Sequence, residues 1–148
     1  MRHFYLAIAA SILLGFVACS SGAKKTGSNS AAALIGKWEG IDRTGKPGAF
    51  SFHEDSSVIL IIDGKPLGGP EAGGLGVLVY SADFSKDPIE LDIIGVGGEG
   101  EEHGRILMIV RFLSPDRIKI RTFFNSIRPK DFSNETIDDT IVLDRRAD

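Results

Sequence analysis

From Leu34 onward, apolar and polar residues alternate in short runs. Phe50 and Phe52 alternate with Ser51 and His53; Ile89, Leu91 and Ile93 with Glu90 and Asp92; Ile106, Met108, Val110 and Phe112 with Arg105 and Arg111; Ile118 and Ile120 with Lys119 and Arg121. A period of two is the mark of a strand with one buried face. No window longer than about ten residues carries the i, i+3, i+4 spacing of a surface helix. The pattern predicts eight strands, near 36–43, 48–54, 57–62, 76–83, 88–95, 104–113, 117–124 and 136–145. Between them stand turn-forming clusters such as Thr44-Gly45-Lys46-Pro47-Gly48, Asp63-Gly64-Lys65-Pro66, Lys86-Asp87-Pro88 and Ser114-Pro115-Asp116. The fold class expected is all-β, an antiparallel up-and-down barrel of about eight strands, because closure removes the exposed edges an open sheet would leave. On the last strand Ile141, Leu143 and Arg145 share one side, which turns an arginine inward.

The N-terminus follows a different rule. Arg2 precedes a stretch from Phe4 to Val17 that is apolar or small apart from Ser11, and this gives way at once to Ser20, Ser21, Gly22 and Lys24. The run is short for a membrane span, which takes roughly 20 apolar residues, and has the form of an export signal. Phe16-Val17-Ala18-Cys19-Ser20 resembles the lipobox of bacterial lipoproteins, although Phe16 stands where that pattern most often has Leu. The resemblance implies a signal peptide over 1–18, cleavage before Cys19 and lipidation of that residue. Cys19 is the only cysteine, so no intramolecular disulfide can form, and acylation accounts for a lone thiol in an exported chain. Several acyl chains would anchor the protein far more firmly than one. Residues 19–33, rich in Ser, Gly, Lys, Asn, Ala and Thr, read as a flexible tether, leaving 34–146 as the folded domain. Ser20 lacks the Asp that the Gram-negative sorting rule uses for inner-membrane retention. The expected location is therefore the cell envelope, in the outer membrane facing either the periplasm or the cell surface.

The length of 148 residues suits one domain. Loss of residues 1–18 leaves 16 basic against 20 acidic residues, a charge of −4. That balance offers no basic face for nucleic acid.

Leu34-Ile35-Gly36-Lys37-Trp38-Glu39-Gly40 looks like the Gly-x-Trp signature of lipocalin-like barrels. In those, the Trp closes one barrel end under an Arg from the last strand; Trp38 and Arg145 match the two positions. The stretches Asp87 to Asp92, Gly104-Arg105-Ile106 and Arg128-Pro129-Lys130-Asp131-Phe132 are similar to a family of uncharacterised bacterial secreted domains of lipocalin-like architecture, with an Arg-Pro-x-x-Phe motif and no assigned activity to transfer.

Candidate chemistry is sparse. His53-Glu54-Asp55 and Glu99 to His103 place histidine among carboxylates without a recognised metal spacing, and read as solvated hairpin tips. The glycine-rich stretches Gly68 to Gly76 and Gly95 to Gly100 precede no helix and carry acidic residues, so they read as rim loops rather than phosphate cradles. No Gly-x-Ser-x-Gly occurs, and once Cys19 is acylated no thiol remains for catalysis. No catalytic residue, metal ligand or cofactor is expected; an enzyme would have to draw on inward positions such as Arg145, Asp139, Asp42 or Glu54. Arg128 and Phe132 are candidates for contact with a ligand or partner, against a structural reading in which Phe132 and Ile127 plug a barrel end and Pro129 stiffens the crossing. The function expected is a lipid-anchored binding or scaffolding protein, carrying a small apolar ligand. The alternative is a periplasmic inhibitor or envelope-structural protein that binds a macromolecule through rim loops. Interior volume separates them, a carrier requiring roughly 300 Å³ or more.

Overall fold

The computed structural model describes residues 30–62, 64–67 and 76–147. Cys19, the expected signal peptide over 1–18 and most of the expected tether over 19–33 lie outside them, as do residues 68–75 of the first glycine-rich stretch. Among the described residues the order is α1 (Ala31–Leu34), β1 (Gly36–Ile41), β2 (Pro47–Phe52), β3 (Val58–Ile62), β4 (Lys65–Leu67), β5 (Val77–Asp83), β6 (Ile89–Val96), β7 (Glu102–Ser114), β8 (Arg117–Thr122) and β9 (Thr140–Arg146). They form one antiparallel sheet in the order β4-β3-β2-β1-β9-β8-β7-β6-β5. Consecutive strands pair throughout β1 to β4 and β5 to β9, and β1 joins β9, with Trp38 opposite Arg145. The sheet curls into a nearly closed up-and-down barrel.

The closing seam lies between β3 and β5. Ser57 bridges Val79, the Tyr80 amide donates to the Ser56 carbonyl at 2.9 Å, and the Tyr80 hydroxyl donates to the His53 carbonyl at 3.1 Å. Inside, the Tyr80 ring meets Phe52 edge-on at 5.0 Å. The inward sets follow the alternation: Trp38 faces Phe50 across β1 and β2, Leu91 faces Met108 across β6 and β7, and Ile118 faces Leu143 across β8 and β9. All are buried in one core. Registering these pairs on one face is what forces the barrel, since a slip of one residue would turn every apolar side chain outward.

Several elements depart from the sequence expectation. Lys65–Leu67, read as a turn, adds a ninth strand. Ala31–Leu34 forms one helical turn where the tether was expected to run to residue 33; it is held there by the burial of Leu34 and by bonds from Arg145 described below. The last strand begins at Thr140 rather than 136, because Thr136 to Asp139 make a turn in which the Thr140 amide donates to the Thr136 carbonyl at 3.0 Å.

No described helix is long and apolar enough to cross a membrane.

Candidate functional site

The two ends of the barrel are built differently. At one end β1 begins and β9 finishes. Trp38 there has no exposed surface, its Nε1 donates to the Leu34 carbonyl at 2.7 Å, and its ring meets Phe112 edge-on at 6.1 Å. The Arg145 guanidinium lies 4.1 Å from the indole centroid and donates to the carbonyls of Ile35 and Ala33, each at 2.6 Å. Asp116 faces it at 3.3 Å. Cation and ring attract, and the same cation satisfies carbonyls at the end of α1 that the short helix leaves without partners. Gly36 completes the arrangement with a φ of 119°, a conformation natural to glycine; a Cβ there would stand 3.0 Å from Arg145 Nη1. The glycine and tryptophan of the Gly-x-Trp motif thus act on one arginine. This end is sealed.

The opposite end is an open mouth. Its floor is Phe50, Met108 and Ile120, and its walls include Ile61, Phe124 and Ile137. The niche between them has about 80 Å³ of room for small occupants. It widens into a solvent-open basin of about 420 Å³ bordered by Arg43, Ile62, Thr122, Phe123, Thr136 and Asp138. The basin lies on the rim, outside the packed interior, so the larger volume is surface relief and the 80 Å³ niche is what the barrel itself offers. Phe52 and Phe112, two of the bulky inward residues, line neither space. Phe124 and Ile137 remain 56% and 70% exposed at the mouth. Isolated exposed apolar residues are ordinary; these two stand on the walls of one niche.

What shapes the mouth is residues 123–139, the long crossing from β8 to β9. Arg121, on the outer face of β8, is buried and gathers this segment: Nη1 donates to the carbonyls of Asp131 and Ser133 at 2.8 and 2.7 Å, and Nη2 to the Asn134 carbonyl at 3.2 Å and Asp139 Oδ2 at 2.9 Å. Its Nε is buried without a partner. Burial disfavours the Asp139 carboxylate, yet Arg121, together with donors from Thr140 and Thr136, holds its pKa down to about 2. Phe124 and Ser126 adopt φ of 54° and 61°, uncommon for residues with a Cβ, so the crossing is held in shape against some backbone strain.

Arg128 and Phe132 belong to the same clamp. Arg128 donates to the Met108 carbonyl at 2.7 Å and to the Asp92 carboxylate, and it faces Glu90 at 3.5 Å. The Phe132 ring lies 5.2 Å from the Arg111 guanidinium and 5.5 Å from Lys119 Nζ. Phe132 therefore covers the outer wall of β7 and β8 and does not plug a barrel end. Ile127 does not plug one either, being well exposed. Buried Pro129 and Arg128 border the outward-facing, buried Ile109. Both residues singled out as contacts are already engaged within the chain. Arg121, which positions the mouth, was not foreseen: alternation assigns it to the outer face beside Lys119, and nothing in the sequence marks the carbonyls that converge on it.

The remaining candidates are dispersed. His53, Glu54 and Asp55 lie in an exposed turn, where Asp55 accepts from the Ser57 amide. Glu101 and His103 pair at 3.1 Å on the β6–β7 hairpin. Among the described residues no three His, Cys, Asp or Glu side chains converge on a position fit for a metal ion. Asp42 and Asp139 both reach the mouth, whereas Arg145 is at the sealed end and Glu54 is in solvent.

Comparison with protein-family models, with curated proteins and with solved structures finds no match to this chain.

Proposed function

We propose that the protein is a non-enzymatic binding protein of the bacterial cell envelope, held to the membrane by a lipid on Cys19, and that its binding face is the open mouth. The lipobox-like Phe16 to Ser20 supports the anchor, and the Gly-x-Trp pairing supports kinship with lipocalin-like barrels. One observation carries the choice of ligand class. Phe50, Met108 and Ile120 fill the barrel so that only about 80 Å³ is open at the mouth, against the roughly 300 Å³ a carried small molecule would need. A macromolecule engaged at the rim fits better than an apolar cargo in the interior.

The geometry agrees with this arrangement. Residue 30 lies at the sealed end beside Trp38, so a chain anchored at Cys19 would join the barrel at the end opposite the mouth. Growth with radiolabelled palmitate should label the wild type and leave Cys19→Ser unlabelled; equal labelling removes the anchor. A photoreactive benzoylphenylalanine in place of Phe124, in the full chain in its own cells, should give cross-linked adducts, while the same group in place of Leu113 on the barrel wall should give none. Absence of adducts at position 124 overturns the mouth as the binding face.

A further inference from the structure

The mouth pairs a deep apolar niche with a charged, shallow basin, and the two differ in what they can hold. The niche has room for on the order of half a dozen waters, the bulk of one large side chain. Its floor is core: Met108 and Ile120 are each about 1% exposed, so a long acyl chain has no channel to follow inward. The basin beside it carries Arg43 from the β1–β2 loop and Asp138 from the crossing. Both are exposed and of opposite charge, and among the described residues neither has a hydrogen-bonding or ion-pair partner, including each other. The other charged side chain of the crossing that reaches the mouth, Asp139, is already held by Arg121.

We propose that the mouth binds a polypeptide by inserting one bulky aliphatic or aromatic side chain of the partner into the niche, with an acidic and a basic residue of that partner meeting Arg43 and Asp138 in the basin. This rests on the mouth being the binding face and names what it takes. An apolar anchor in a desolvated pocket ringed by charges is the usual economy of a protein contact: the anchor supplies affinity and the charges supply orientation and partner choice. The size of the niche excludes a lipid tail, and the two unpaired charges of opposite sign suit a polypeptide, which can present both.

The full chain, held in nanodiscs, is titrated calorimetrically with the blocked heptapeptide Gly-Ser-Lys-Leu-Glu-Ser-Gly, with the same peptide carrying Ala for Leu, and with decanoate. The Leu peptide should bind at least about tenfold more tightly than the Ala peptide, the loss expected for one buried large side chain. Arg43→Ser and Asp138→Ser should each weaken it severalfold, and Ile137→Asp should abolish binding with an unchanged circular-dichroism melt. Equal affinity for the Leu and Ala peptides, or tighter binding of decanoate, overturns the proposal. So does self-association of the chain that Ile137→Asp removes, which would make a second copy the occupant. If neither peptide binds while adducts persist at position 124, the proposal fails and the mouth survives as a binding face; if both are lost, the functional reading fails with it.

Discussion

The sealed and open ends of the barrel are made from similar materials and held by different means. Each has an aromatic residue beside an arginine: Arg145 lies 4.1 Å from the Trp38 ring, and Arg121 lies 5.0 Å from Phe123. At the sealed end the ring is buried and the arginine closes over it, so cation, indole and backbone carbonyls form one packed unit. At the open end the arginine is the buried partner, the ring is at the surface, and the cation acts on the carbonyls of a long crossing. Packing fixes one end and hydrogen bonding to a single guanidinium fixes the other. An end held largely by packing buries its apolar surface, whereas an end held by a polar clamp can keep apolar side chains in water.

The largest effect should come from breaking the sealed end. Trp38→Ala removes a fully buried indole and should cost about 3–5 kcal/mol in urea unfolding, while Lys37→Ala, on the outer face, should change stability by less than about 0.5 kcal/mol. Next, Arg145→Ala should cost roughly 2 kcal/mol, because it leaves the Ala33 and Ile35 carbonyls without their donor and removes the cation from the ring. Arg146→Ala, more than half exposed with only a surface pair to Glu39, should cost under about 0.5 kcal/mol. A double-mutant cycle of Trp38→Phe with Arg145→Lys that proves strictly additive would show that the contact contributes nothing beyond its parts.

The open end should answer to acid instead. Asp139 is held from its ordinary 3.8 to about 2, so its charged form favours the folded state. Its contribution is complete above about pH 4 and is lost as pH falls to about 2. Urea midpoints of the wild type should drop relative to Asp139→Asn across that window and run parallel to it at neutral pH. Coincident slopes through the window would mean that the carboxylate does not hold the crossing. The smallest effect belongs to the mouth itself: Ile137→Asp should leave stability within about 0.5 kcal/mol, since the side chain is 70% exposed.

The sealed end was partly legible in the sequence. Alternation with Ile141 and Leu143 turns Arg145 inward, and the resemblance to the Gly-x-Trp signature named Trp38 as its partner; the two stand opposite each other across β1 and β9. The same rule placed eight strands. It failed where local signals are weak or contrary. Lys65-Pro66-Leu67 reads as a turn, yet Pro66 is tolerated in a three-residue strand at the sheet edge, where a missing amide costs no ladder bond. Ala31–Leu34 is too short to display a helical period and exists through Trp38 and Arg145. Glu102 and His103 read as loop, yet β7 extends back through them to thirteen residues, and Arg105 bonds both Glu102 and Asp92 beside the β6 pairing. The mouth was illegible for a deeper reason. Its form depends on where seventeen aperiodic residues, 123–139, come to rest, and that is decided by carbonyl groups, which every residue has.

Placing the entry of the chain and the mouth at opposite ends has a mechanical consequence. Tension between an N-terminal attachment and a partner held at the mouth would run along the strands. The hydrogen bonds of an antiparallel ladder stand perpendicular to its strands. Such a pull would load β1 in shear, across six residue pairs with β2 and three with β9 together, rather than peeling them apart in turn. Under such a pull β1, flanked by neighbours on both sides, would bear load along the strands, while the β3–β5 seam, closed among the described residues by one bridge and the bonds of Tyr80, would yield sooner when pulled sideways.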